Sequence, residues 1–464
     1  MSIQLPHEVV KAILAISDKE KLLQRDGLEP RDIEHLQRVA QEFGENADEL
    51  LALGFWCDGV PFNWDRSQSV EVLSFNFPGL KSEWESLRIP ITCVPKNWVA
   101  TDETFEDLLE VVLWSLQCLA VGQMPDDRHD RSGWKASDKW RAKHQGEAIG
   151  VKAFLVEIRG DWLMMKEVFH LPGWRDNTGC CWLCHALPAD VARMGLDAEW
   201  RRNRLTHWQL LERILRLGHN LSPLMRAPGV RSWLFKIDWL HAVDQGVGAD
   251  FLGNVLFLLC RRMEGRHKKT RLRALLLEIN TWYNDPDNHV TARLHTLTEG
   301  MIKKQKAPPK LRGKAAECRA LIPFAEFAAR KWFDDADPEQ ATAKQMAIHL
   351  NALYGTLSGA TIFREDLMRE HCRKFMVLYS GLSQSHGGTT EQKWKIKPKF
   401  HLVQELCEMT TGAIPACSWT YRDEDFGGSV ARATRKKGNS VTPSDASRNY
   451  LDKFVAQHRL PSIM

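Results

Sequence analysis

Between residues 51 and 162 the chain switches periodicity in an order that few architectures accommodate. Three short runs, LLALGFWCDGVPF, SVEVLSFNFPG and RIPITCVP, are rich in Val, Ile and Phe and are bounded by Gly, Pro, Asn and Ser. That texture predicts three consecutive strands, taken as antiparallel. TFEDLLEVVLWSLQCLAVG then predicts a strong amphipathic helix, with Thr104 or Asp102 as its cap and Gly122 as its stop. A polar loop, PDDRHDRSG, leads into AFLVEIRGDW. Here Phe154, Val156 and Ile158 alternate with Leu155, Glu157 and Arg159, which predicts a fourth strand.

Strand, strand, strand, helix, strand is the order of the first half of a ribonuclease-H-like fold, although many α+β domains share it. Before it, residues 1–50 have helical spacing, with Val9, Val10, Ile13 and Leu14 on one face. After it, the stretch from about 205 to about 385 is almost wholly helical in pattern. The expected fold is therefore α+β: a ribonuclease-H-like mixed sheet with a large all-helical insertion. The expected domains are an N-terminal helical segment (1–50), a first part of the core that includes a CxxC element (51–204), a helical insertion (205–390) and a C-terminal part of the core with a basic tail (391–464).

At 464 residues the chain is long enough for two or three structural units. It has no run of about 18 uncharged apolar residues, so no membrane span is expected. Its first residues read as an amphipathic helix, not a targeting peptide. Eleven cysteines, an odd number and mostly scattered, fit reduced thiols in the nucleus or cytoplasm and argue against secretion. The net charge is only +4, but basic residues cluster at 261–273, 303–314, 393–399 and 432–437. Arg266, Lys268, Lys269, Lys303, Lys304, Lys397, Lys399, Arg435, Lys436 and Lys437 are the candidates to neutralise phosphates, against the alternative of solvated helix faces and loops.

Three acids stand out. Asp58 lies inside the apolar run FWCDGVPF, where a charge is costly unless it is paired or metal-bound. Asp161 ends the fourth strand-like run. Glu424 lies in RDEDFGG, flanked by Asp423 and Asp425, so the identity of a third acid stays open between them. Three converging carboxylates suit a pair of Mg²⁺ or Mn²⁺ ions, one activating the attacking oxygen and one stabilising the leaving oxygen. The competing explanations are turn aspartates and acids at a helix N-terminus. Gly427 and Gly428 weaken the helix expected there.

These stretches carry a resemblance. FWCDGVPF with SVEVLSFNFPG, then VEIRGDW, CCWLCHA, DWLHAVDQG, and finally KPKFHLVQEL with WTYRDEDFGG occur in the order seen in DDE transposases, and the chain resembles the CACTA and Plavaka-like branches over roughly residues 50–440. The resemblance implies Asp58 and Asp161 as paired metal ligands, Glu424 as the third acid, and metal-dependent cleavage and transfer of DNA strands, with a homo-oligomer as a further expectation. It also groups Cys181 and Cys184 with Asp238 and His241 as a structural Zn²⁺ site. By spacing alone Cys180 or His185 could substitute, and buried core thiols are the plain alternative. Two rival readings are a catalytically silent, domesticated relative that binds nucleic acid or protein, and a helical scaffold with incidental carboxylates.

Overall fold

The computed structural model describes residues 2–61, 68–80, 88–100, 103–357, 363–386, 388–409, 414–434 and 443–458. Expectations placed on Asp102, Arg435, Lys436 and Lys437 lie outside the described residues. The chain divides into two compact units, each assembled from separated segments. One comprises Met1–Gly173, Leu205–Lys236 and Cys417–Met464; the other comprises Trp174–Arg204 and Ile237–Ala416.

The first unit is α+β. Its sheet has strands β1 (Leu50–Pro61), β2 (Ser69–Asn76), β3 (Ile89–Pro95) and β4 (Lys152–Arg159), in the order β3-β2-β1-β4. The first three pair antiparallel, as expected. β4 returns parallel to β1 after the Thr104–Val121 helix, because a parallel neighbour needs a long crossover. Gly122 ends that helix in the left-handed conformation at φ 78°, which costs glycine nothing. The strands are buried along almost their whole length, which is why they read as continuous apolar runs.

Register fixes the faces. Val72 and Val70 of β2 stand opposite Asp58 and Val60 of β1, so they share a face with Trp56. That face is covered by the Tyr421–Thr434 helix, in a cluster that joins Trp56, Val60, Val70 and Val72 to Val430, Ala431 and Tyr450. Toward the other end of β1, Leu50 and Ala52 pack with Leu36, Val39 and Ala40 of the Pro30–Phe43 helix. The N-terminal segment is therefore part of this unit, and the Gln4 amide donates to the Ile91 carbonyl of β3 at 2.8 Å.

The second unit contains no strand among the described residues. Its longest helices are Gly248–Arg262, Lys268–Asn284, Ala315–Trp332, Pro338–Gly355 and Glu365–His386. Leu240–Arg262 is long and apolar enough to cross a bilayer, yet 94% of its window is buried inside the protein, which makes it a core helix. Three segments differ from the sequence division. The CxxC segment belongs to this helical unit, as does 391–416, with Cys180, Cys181, Cys184, Ile396 and Met409 in one cluster, whereas Leu205–Lys236, expected in the helical insertion, belongs to the first unit.

Candidate metal centres

Asp58 stands near the end of β1, on the face covered by the Tyr421–Thr434 helix, and is 7% exposed. Its Oδ1 accepts the Gly59 amide at 2.7 Å. β4 ends at Arg159, so Asp161 follows the strand rather than closing it. Asp161 is the N-cap of the Trp162–Phe169 helix, with Oδ1 accepting the Met164 amide at 2.6 Å. Trp56 pairs with Arg159 at the last rung of the parallel ladder, two residues before Asp58 on one chain segment and two before Asp161 on the other. Gly160 permits the approach: a Cβ there would lie 2.7 Å from the Cys57 carbonyl oxygen, closer than real contacts allow.

The charges of both aspartates are felt at one point. Burial pushes the Cys57 thiol well up, and Glu71, Asp58 and Asp161 push it further. Sequence reasoning missed Glu71, a 2% exposed acid on β2 opposite Gly59, paired with Lys96 at 3.5 Å. Burial raises its carboxyl above the usual range. The signal that singled out Asp58, an acid inside an apolar run, was equally present in SVEVLSF.

The three consecutive acids 423–425 are placed differently. The Tyr421–Thr434 helix runs unbroken through Gly427 and Gly428, against the expectation that they weaken it. Gly427 is there for contact: a Cβ would lie 2.6 Å from Val60 Cγ2 and 3.0 Å from the Trp56 ring. Asp423 is fully buried and ion-paired to arginines, and Asp425 is exposed. Glu424 is half-buried, and it and Asp58 each offer a carboxylate oxygen within 4.8 Å of the other.

The second unit holds a different donor set. Cys181, Cys184, His401 and Glu405 each offer a ligand atom, all within 4.8 Å of one another, and all four residues are buried. Cys184 Sγ lies 3.3 Å from His401 Nε2, and Glu405 Oε1 lies 3.5 Å from the same nitrogen. The two cysteines sit on a tight loop in which the Leu183 amide donates to Cys181 Sγ at 3.3 Å. His401 lies on the Lys399–Gln404 helix, and Glu405 opens the π-turn Glu405–Met409 that continues it. Spacing of i, i+4 puts both on one side of that helix.

This corrects the grouping with Asp238 and His241. Those two bond to each other, His241 Nδ1 to Asp238 Oδ2 at 2.6 Å, and Asp238 also accepts the His241 amide at 3.0 Å. The Asp238 carboxylate thus caps its own helical turn, and neither residue belongs to the cysteine cluster. The pair that the structure brings to the two cysteines was legible as HLVQE within KPKFHLVQEL, a segment assigned to the core instead.

Burial opposes charge at both His401 and Glu405, but hydrogen bonding to Cys181 and Glu405 lifts His401 to about 9, so a metal ion bound here would have to displace the imidazole proton. Hydrogen bonds from His401 and Arg204 hold Glu405 down to about 2. Arg204 grips both Glu405 oxygens, at 2.9 and 2.8 Å, the bidentate geometry that fixes a carboxylate's orientation.

The basic candidates separate by where their charge goes. Arg266, Lys268, Lys269 and Lys304 are exposed, with Lys268 ion-paired to Glu299. Lys303 donates to the Ala307 and Glu391 carbonyls at 2.8 and 2.9 Å. Lys397 pairs with buried Asp250 at 2.5 Å, and Lys399 donates to the His241 carbonyl at 2.8 Å. The last two are thus engaged inside their own unit, a use that a basic run in sequence does not reveal. The chain matches no protein-family model and no curated protein.

Proposed function

We propose that the first unit is a ribonuclease-H-like core whose Asp58, Asp161 and Glu424 hold two Mg²⁺ or Mn²⁺ ions and cleave and transfer DNA strands, as in DDE transposases. The observation that carries this reading is that an acid on β1 and an acid on the late helix packed against that sheet face offer carboxylate oxygens within 4.8 Å of each other, with a third acid just past the end of the adjacent parallel strand β4. Three carboxylates from separate chain segments suit hard divalent ions. Bound there, the ions supply activation of the attacking oxygen and stabilisation of the leaving oxygen.

The protein's own part is positional. The β1–β4 ladder ends just before Asp58 and Asp161, the helix cap fixes the Asp161 rotamer through Oδ1, and the Tyr421–Thr434 helix presents Glu424 from its half-buried flank. Water followed by a DNA 3′-hydroxyl would be the nucleophiles. Arg266, Lys269 and Lys304 are the exposed cations for phosphate contact.

The test is nicking of supercoiled plasmid in Mn²⁺. Wild type should nick, and Asp58→Ala, Asp161→Ala and Glu424→Ala should each lose about 100-fold or more, as loss of several kcal/mol of charge stabilisation requires. Equal activity in all four proteins refutes the assignment. One observation favours a second reading, a silent DNA-binding relative: Asp161 already has a structural task as a helix cap. DNA binding without metal-dependent nicking selects that reading.

For the second unit we propose a structural Zn²⁺ held by Cys181, Cys184, His401 and Glu405. Two thiolates, an imidazole and a carboxylate make a tetrahedral donor set suited to zinc. It would tie the Cys-loop to the Lys399–Gln404 helix.

A further inference from the structure

We infer that Asp423, clamped between Arg159 and Arg88, sets the rotation of the Tyr421–Thr434 helix and so decides which of three consecutive acids faces Asp58. The consequence for metal binding rests on the triad reading above; the clamp itself does not.

Asp423 is fully buried in the first turn of the helix. Arg159 donates Nη2 to Oδ1 at 3.2 Å, and its Nη1 lies 2.8 Å from Oδ2 as an ion contact. Arg88 Nε reaches Oδ1 at 2.6 Å. Arg159, 2% exposed, is itself fixed by Asn76 Oδ1 at 2.8 Å and Glu157 Oε1 at 3.3 Å. Gly54 of β1 makes room for these partners, since a Cβ there would lie 2.5 Å from Asn76 Oδ1 and 2.6 Å from Glu157 Oε1. β1 therefore supplies the space, β2 and β4 supply the groups, and Arg88 arrives just before β3. Two arginines face two carboxylates, Asp423 and Glu157, so the buried charge balances.

A buried ion pair adds little net stability but is costly to misalign, so its best use is to select one register. Successive helical residues point about 100° apart. With Asp423 in the clamp, Glu424 falls at the half-buried position within 4.8 Å of Asp58 and Asp425 faces solvent. Turning the helix by one residue would put Glu424 in the clamp and Asp425 at the site. The apolar contacts of Gly427, Val430 and Ala431 lie further along the helix and can keep it docked without the clamp. What the clamp adds is the orientation of the first turn.

The experiment uses the full chain as Asp423→Asn, as the charge-balanced Arg88→Gln/Asp423→Asn, and each of these combined with Glu424→Gln. Mn²⁺ affinity is read by electron paramagnetic resonance and backbone order by hydrogen exchange. Asp423→Asn should weaken Mn²⁺ by about 10–100-fold, the usual effect of losing an outer partner of a ligand. It should add nothing in the Glu424→Gln background, because it acts through Glu424. Exchange in the first turn of the Tyr421–Thr434 helix should rise at least about tenfold while β1 and β4 stay protected, as expected of a local opening. If Asp423→Asn does not fold, the charge-balanced variant carries the same comparison. Unchanged first-turn exchange, or additive loss in the Glu424→Gln background, overturns the inference. Should wild type bind no Mn²⁺, the triad reading falls and hydrogen exchange alone decides the clamp.

Discussion

Replacing Cys184 with serine tests the second unit's metal centre most sharply. Cys184 Sγ lies 3.3 Å from His401 Nε2 inside a fully buried cluster, and serine oxygen is a far weaker zinc ligand than thiolate. A ligand present at about 1,000 times its dissociation constant stabilises the fold by about 4 kcal/mol. For a unit of this size each kcal/mol moves the melting temperature by about 2–4 °C. Wild type should therefore carry one zinc per chain and lose ~8–16 °C on chelation. Cys184→Ser should arrive without zinc, melt where chelated wild type melts, and ignore the chelator. The Arg204–Glu405 and His401–Glu405 ion pairs remain without metal, so the variant should still fold. Elemental analysis and calorimetry read both quantities. Zinc-free wild type with a chelator-insensitive melt refutes the site. Retained zinc in His401→Ala together with loss in His241→Ala would restore the grouping that the geometry rejects.

Other consequences follow from the first unit. Burial, then the Arg141 charge, pushes the His7 imidazole down to about 3, and burial with the Lys236 and Arg231 charges pushes His35 down to about 4, against 6.5 when unfolded. The unfolded chain therefore binds more protons below that value, so stability should fall as pH drops from 6.5, by up to ~1.4 kcal/mol per pH unit for each histidine. Urea melts between pH 7 and 5 should show that slope, and it should flatten in His7→Asn. Asp161→Asn should keep the helix cap and stability within about 0.5 kcal/mol while abolishing nicking, whereas Asp161→Ala should also lose about 1 kcal/mol. Gly427→Val should cost about 1–3 kcal/mol by urea melt, because its side chain would collide with Val60 and Trp56; an unchanged midpoint would mean the helix packs elsewhere.

The sheet was readable because its signals are local. Apolar runs broken by Gly and Pro named β1 to β4, and Asp58 was visible as a charge where strand chemistry disfavours one. The parallel seating of β4 beside β1 is a tertiary fact, hinted at only by the helix between them. Sequence could not choose among Asp423, Glu424 and Asp425, because the choice is made by Arg159 and Arg88, hundreds of residues away in the chain. The cysteine loop was recognised by its spacing, but its partners were misassigned. DWLH and HLVQE both place two candidate ligands on one helical side, and only packing shows that His401 and Glu405, not Asp238 and His241, meet the two cysteines. Lys397 and Lys399 read as surface charge because one-dimensional charge patterning cannot register a buried Asp250 or an inward-facing carbonyl.

The most direct measurement is a crystal of this protein soaked in Mn²⁺ and examined at the manganese absorption edge. The account predicts anomalous peaks with carboxylate oxygens of Asp58, Asp161 and Glu424 about 2.1 Å away, at the separation two-metal sites use. Peaks at other carboxylates only, or none at saturating Mn²⁺ with these three side chains ordered, would contradict it.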